Sequence, residues 1–201
     1  MSHTVALLVS GASGMLLPRH FLKALTELPA VARVHLVVSA GASQVLSHEL
    51  GAGRADDLVA AAGLTEEARA KVVVHRDHAL DAPIASGSYR ITGTVVLPTS
   101  AGTLGALATG SARTLIHRAG AVALKERWPL VLGFRETPLS LVHLENLRRL
   151  AYAGAVILPP IPAFYIGGEE LPRFLDHYCL RVFDHLGLGE AGAPGLRWTG
   201  G

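Results

Sequence analysis

Ser10-Gly11-Ala12-Ser13-Gly14, Ser39-Ala40-Gly41-Ala42-Ser43 and Pro98-Thr99-Ser100-Ala101-Gly102-Thr103 share one chemistry. Their small residues let backbone approach a ligand closely, and their hydroxyls and amides bind phosphate without a large fixed charge. Ala85-Ser86-Gly87-Ser88 is a fourth stretch of the same kind. One such stretch alone is an ordinary turn or helix cap, but several at equivalent places point to a phosphorylated ligand. Gly11 and Gly14 are spaced G-x-x-G rather than G-x-G-x-x-G, and no P-loop lysine follows, so a mononucleotide is favoured over NAD or ATP.

A second set of residues is cationic. Arg118 and Lys125 lie seven residues apart in a segment of helical period, which puts both on one face where they could converge on an anion. The bland alternative is a solvated basic face. Arg135-Glu136-Thr137-Pro138 sets two opposite charges at a strand end, and Pro159-Pro160-Ile161-Pro162-Ala163-Phe164-Tyr165 is too proline-rich for a helix, predicting a stiff loop that holds Tyr165 in place. Other chemistries find little support. His75 and His78 flank Asp77 without a third ligand at metal-binding spacing, Ser13 is not in G-x-S-x-G, and Cys179 sits among apolar residues as a small hydrophobe.

Six short apolar runs are expected to be strands: Val5 to Val9, Val34 to Val38, Val72 to Val74, Thr94 to Leu97, Leu130 to Phe134 and Ala155 to Leu158. Runs without alternation suit strands buried on both faces. Helical period fills most of the gaps, at Pro18 to Leu28, Leu104 to Ala108, Leu115 to Arg127, Leu139 to Tyr152 and Leu171 to Leu186. Thr137 is expected to cap a helix with Pro138 in its first position, and Glu170 with Pro172 to open the last one. Gly51 to Gly63 reads equally as helix or loop. This alternation predicts an α/β fold: one Rossmann-like (flavodoxin-like) domain over residues 1–188, with a parallel sheet of about six strands and helices on both faces, followed by a tail over 189–201. In such sheets ligands bind beyond the carboxyl ends of the strands, where the hydroxyl-rich stretches fall.

The 201 residues are 50% apolar and 17% charged, which excludes disorder for most of the chain. Eighteen Lys and Arg against sixteen Asp and Glu leave no broad cationic surface for nucleic acid. A mean hydropathy of +0.37 is high, yet Pro, Gly or a charge interrupts every apolar run before the roughly 20 residues that span a bilayer, so the excess is assigned to buried strands and subunit contacts. Residues 1–10 lack the features of a secretion signal and the single Cys179 has no internal disulfide partner, so the expected compartment is the cytoplasm.

Gly11-Ala12-Ser13-Gly14, Ala85-Ser86-Gly87-Ser88, Pro98-Thr99-Ser100, Arg118 to Arg127, Arg135-Glu136-Thr137-Pro138-Leu139 and Gly154 to Pro160 together resemble, in order and spacing, the UbiX-type flavin prenyltransferases. The resemblance runs from about Val5 to Leu188. It implies joining a dimethylallyl group from dimethylallyl monophosphate to reduced FMN at N5 and C6, without metal, to make prenylated FMN for a UbiD-type decarboxylase. It further implies a homo-oligomer, a dodecamer built from trimers, with sites at subunit junctions. Carried onto matching positions, Gly11, Ala12, Ser13, Ser39, Ser100, Ala101, Gly102, Thr103 and Arg135 would hold FMN. Lys125, Tyr165 and Arg181 would bind the donor phosphate, with Arg118 nearby. Glu49, Glu136, Lys125, Arg118 and Ser13 would be catalytic, the two acids managing protons. The chain departs from the family pattern at Ala40, Leu80 and Thr99, where many or some relatives carry Lys, Trp and Cys. Trp198 matches an aromatic of the tail. The competing readings are a related FMN-dependent cysteine decarboxylase, whose Pro-x-Met-Asn motif is missing, and a flavin carrier without chemistry.

Overall fold

The computed structural model describes residues 2–51, 53–166, 170–189 and 196–197. Six strands, β1 (His3–Val9), β2 (Val31–Val38), β3 (Val72–Arg76), β4 (Gly93–Thr99), β5 (Leu130–Phe134) and β6 (Val156–Ile157), form one sheet in the order β3-β2-β1-β4-β5-β6. Every neighbouring pair is parallel. Each of the six expected strands is present. Along β1, Val5, Leu7 and Val9 enter one apolar core while Ala6 and Leu8 enter another, so the strand is buried on both faces and shows no polar alternation.

The first core is closed by α1 (Leu16–Glu27), α3 (Ala55–Ala61) and α8 (Leu171–His185), with Phe21 and Phe183 in ring contact at 5.4 Å. The second is closed by α5 (Ala101–Ala108), α6 (Leu115–Glu126) and α7 (Leu141–Tyr152). The segment between 51 and 63, read equally as helix or loop, contains α3. Two further helices, α2 (Ala40–Leu50) and α4 (Glu66–Ala70), were not expected, because α2 is built mostly of small and polar residues and α4 spans only five residues, so neither carries a sustained apolar period.

Thr137 does not start a helix with Pro138. α7 begins at Leu141, where Ser140 Oγ accepts from the His143 amide at 3.2 Å and His143 Nδ1 accepts from the Ser140 amide at 3.3 Å, a reciprocal cap that settles the boundary. α8 does begin beside Pro172, but the Glu170 side chain makes no cap bond. The strand order reverses between β1 and β4, and the crevice beyond their carboxyl ends is where such sheets take a ligand.

Candidate functional site

Ser10 ties the crevice together. Its hydroxyl donates to the Pro98 carbonyl at 2.9 Å and accepts from the Ser100 amide at 2.8 Å, so the ends of β1 and β4 are held in fixed relation. Two helices then start at the rim with hydroxyl caps: Ser39 Oγ accepts from the Ala42 amide at 3.1 Å, and Ser100 Oγ accepts from the Thr103 amide at 3.2 Å. The loop after β1 lies directly against α2, because a Cβ on Gly11 would come within 2.9 Å of the Gly41 carbonyl carbon. Only glycine permits that approach.

α1 has no capping side chain of its own at Met15. Glu49, near the end of α2, supplies one: its carboxylate accepts from the Met15 amide at 2.7 Å and the Gly14 amide at 3.1 Å. Burial raises the acid's pKa, but the bonds from Met15, Ser13 and Gly14, with Arg135 nearby, more than offset this and hold it below the ordinary carboxylate value. Arg135 Nε donates to the Ser13 carbonyl at 3.1 Å, bringing the end of β5 to the same loop. A Cβ on Gly102 would meet nothing within 4 Å, so the first turn of α5 opens onto free space. Two helix amino termini, their hydroxyls and one guanidinium gathered at the carboxyl ends of the strands fit a phosphorylated ligand such as FMN. The sequence-predicted residues Gly11, Ala12, Ser13, Ser39, Glu49, Ser100, Ala101, Gly102, Thr103 and Arg135 therefore share one rim. Glu136, half-buried beside Arg135, turns its carboxylate to the Thr137 amide at 3.1 Å.

Lys125 is elsewhere. α6 starts near the carboxyl end of the sheet, where the Leu115 amide meets the Asp77 carbonyl at 2.6 Å, and runs back toward the start of β5. Arg118, in its first turns, donates from Nε to the Ala85 carbonyl at 2.9 Å. Lys125, in its last turn, pairs with Glu126 and lies against Gly87. Both cations do face the same segment, as their spacing implies, but Lys125 sits a strand's length from Arg135. Tyr165 and Arg181 form a third group with His177, whose Nε2 is hydrogen-bonded to the Tyr165 hydroxyl at 3.0 Å. Asp184 accepts from Arg181 at 3.2 Å and from Arg197 at 2.6 Å. Trp198 lies outside the described residues.

Residues 1–172 match the model of the Flavoprotein family. The chain is 43% identical over 189 residues to the flavin prenyltransferase UbiX of Deinococcus radiodurans, covering 94% of this chain and 89% of that one. The chain belongs to the Flavoprotein family, among the UbiX-type flavin prenyltransferases. Among solved UbiX-type structures, that of AnUbiX in complex with FMN and dimethylallyl pyrophosphate is similar with a TM-score of 0.85 at 36% identity, over 100% of this chain and 99% of that one. A dodecameric FMN-dependent UbiX-like decarboxylase from Escherichia coli O157:H7 is similar with a TM-score of 0.85 at 37% identity, over 98% and 100%.

Two contacts escape sequence reading. Ser10 is legible as one hydroxyl of the Ser10–Gly14 stretch but not as a tie across the sheet, and the bond from His177 to Tyr165 gives one signal only, the place of His177 four residues before Arg181 on the same helix face. Cys179 is buried and its thiol is pushed far up by that burial, so it acts as a core residue.

Proposed function

We propose that this chain joins the dimethylallyl group of dimethylallyl monophosphate to reduced FMN at N5 and C6, yielding prenylated FMN for a UbiD-type decarboxylase. The observation that carries the reading is the rim beyond β1 and β4, where two hydroxyl-capped helix starts, the Glu49-held loop and Arg135 meet. Gly11, Ala12, Ser13, Ser39, Ser100, Ala101, Gly102, Thr103 and Arg135 hold FMN there. Reduced flavin, when bound, supplies the nucleophilic face that the allylic carbon needs.

Lys125, Tyr165 and Arg181, with Arg118 nearby, neutralise the phosphate that leaves as the allylic C–O bond breaks. Preorganised donors aimed at such developing charge are typically worth on the order of 10² to 10³ in rate each. Glu49, held ionised, and Glu136 take and return protons at the flavin edge and the departing phosphate, and Ser13 contributes its hydroxyl to the same edge. Lys125 and Arg135 lie at opposite ends of β5 in one chain, so the site is completed by a second copy of the chain. The dodecameric relative supports an assembly of that kind. Among the described residues no helix is long and apolar enough to cross a membrane, and the cytoplasm is the compartment we assign.

Anaerobic incubation with reduced FMN and dimethylallyl monophosphate is the test. Mass spectrometry should show flavin heavier by one prenyl unit; unmodified flavin across several prenyl donors would refute the proposal.

A further inference from the structure

Tyr165, His177, Leu180, Arg181, Leu196 and Arg197 line a cavity of about 220 Å³, large enough for a phosphate group. Two guanidiniums, a phenol and an imidazole at one small cavity suit an anion. We propose that His177 is the positioning residue of this site: it holds the Tyr165 hydroxyl at the cavity and, when its Nε2 carries a proton, turns that hydroxyl into a donor toward the anion. The inference rests on the assignment of Tyr165 and Arg181 to the donor phosphate.

The geometry restricts what the phenol can offer. His177 is 7% exposed and its ring stands edge-on to Tyr165, at 88° and 5.8 Å between centroids, with Nε2 at 3.0 Å from the phenol oxygen. A phenol has one proton. If that proton is given to an unprotonated Nε2, the oxygen shows the cavity only lone pairs, which repel phosphate. If Nε2 carries the proton, the imidazole donates to the phenol oxygen, and the phenol proton is released toward the cavity. A neutral imidazole can take either tautomer, whereas imidazolium enforces the second arrangement and adds a positive charge.

The charged groups around His177 are Arg181 and Asp184 on α8 and Arg197 beyond it, while Asp176 is turned to His20 on α1 at 2.6 Å. Burial foremost, then Arg181, lowers the His177 pKa from its ordinary value, and Asp184 opposes them. A bound anion opposes them too, so by linkage anion binding takes up a proton as pH falls below the ordinary histidine range.

The test is calorimetric titration of dimethylallyl monophosphate into the assembled protein loaded with oxidised FMN, which does not turn over, from pH 5.5 to 8. Wild type is compared with His177→Phe, which keeps the ring and loses the bond, and with His177→Gln, whose amide can donate to the phenol without titrating. The donor's own ionisation contributes equally to all three. His177→Phe should bind about tenfold more weakly at pH 6 with FMN affinity unchanged, and the deficit should shrink as pH rises. His177→Gln should bind much as wild type does at pH 8 and lack the gain at low pH. A wild-type to His177→Phe ratio near one, or one constant with pH, overturns the inference. Should His177→Phe fail to assemble, a wild-type pH dependence in His177→Gln overturns it equally. If wild type makes prenylated FMN and the ratio is near one, this inference alone fails. If binding depends on His177 and no prenylated flavin forms, the proposed function alone fails.

Discussion

The Glu49 carboxylate sits 2.7 Å from the Met15 amide and so caps α1 from a helix 34 residues further along the chain. Because α1 has no cap of its own, this contact sets the conformation of the Gly11–Gly14 loop as well as the helix end.

Glu49→Ala should therefore destabilise the protein by about 1 kcal/mol, the usual worth of a helix cap, and weaken FMN binding, both readable by urea titration and flavin fluorescence. The depressed pKa gives the sign with pH: its stabilisation is present above the unfolded carboxylate value and lost as pH falls through the folded one. Wild type should accordingly lose more stability than Glu49→Gln below about pH 4.5. Parallel curves would show that the carboxylate charge plays no part.

Gly11→Ala would drive a Cβ into the Gly41 backbone, which cannot swing aside as a side-chain tip can. The two loops must separate, at a cost of about 1 to 3 kcal/mol. We expect a lower melting temperature and weaker FMN binding, checked by thermal unfolding with and without FMN. An unchanged FMN affinity would place the flavin away from this contact.

Gly87 gives a contrasting case. A Cβ there would meet the ends of the Lys125 and Glu126 side chains, which are free to move, so Gly87→Ala should fold normally and displace Lys125. It should share the phenotype of Lys125→Ala: FMN bound as in wild type, prenylated product reduced on the order of 10²-fold. Glu136→Ala should behave likewise. A flavin carrier would have no turnover for any of them to lose.

His35 is 2% exposed and bonded through Nδ1 to His75 at 2.8 Å and through Nε2 to Tyr89 at 3.0 Å. Burial first, then the neighbouring His75 and Arg33, lower its pKa to about 4. The unfolded chain thus binds a proton that the folded one refuses, so stability is full above about pH 6.5 and falls as pH drops toward 4, by up to about 3 kcal/mol. Urea midpoints across that window should show the slope in wild type and a shallower one in His35→Phe, whatever the latter's absolute stability.

The strands were legible in the sequence because a strand buried on both faces must be apolar throughout, as Val5 to Val9 and Leu130 to Phe134 are. The rim residues were legible for a related reason: small residues and hydroxyls at Gly11, Ser39 and Ser100 stand out directly after such runs. α2, built mostly of small and polar residues, and α4, only five residues long, left no sustained apolar period, and the choice of Ser140 over Thr137 depended on a bond back from His143. What only the tertiary structure decided is which chemical groups meet. Glu49 reaches Met15, Ser10 joins β1 to β4, and His177 reaches Tyr165 because packing of helices on the sheet brings distant segments within 3 Å or so. The same packing sends α6 back along the sheet and carries Lys125 away from Arg135. Side-chain type and local spacing are properties of the chain, whereas convergence is a property of how its elements stack.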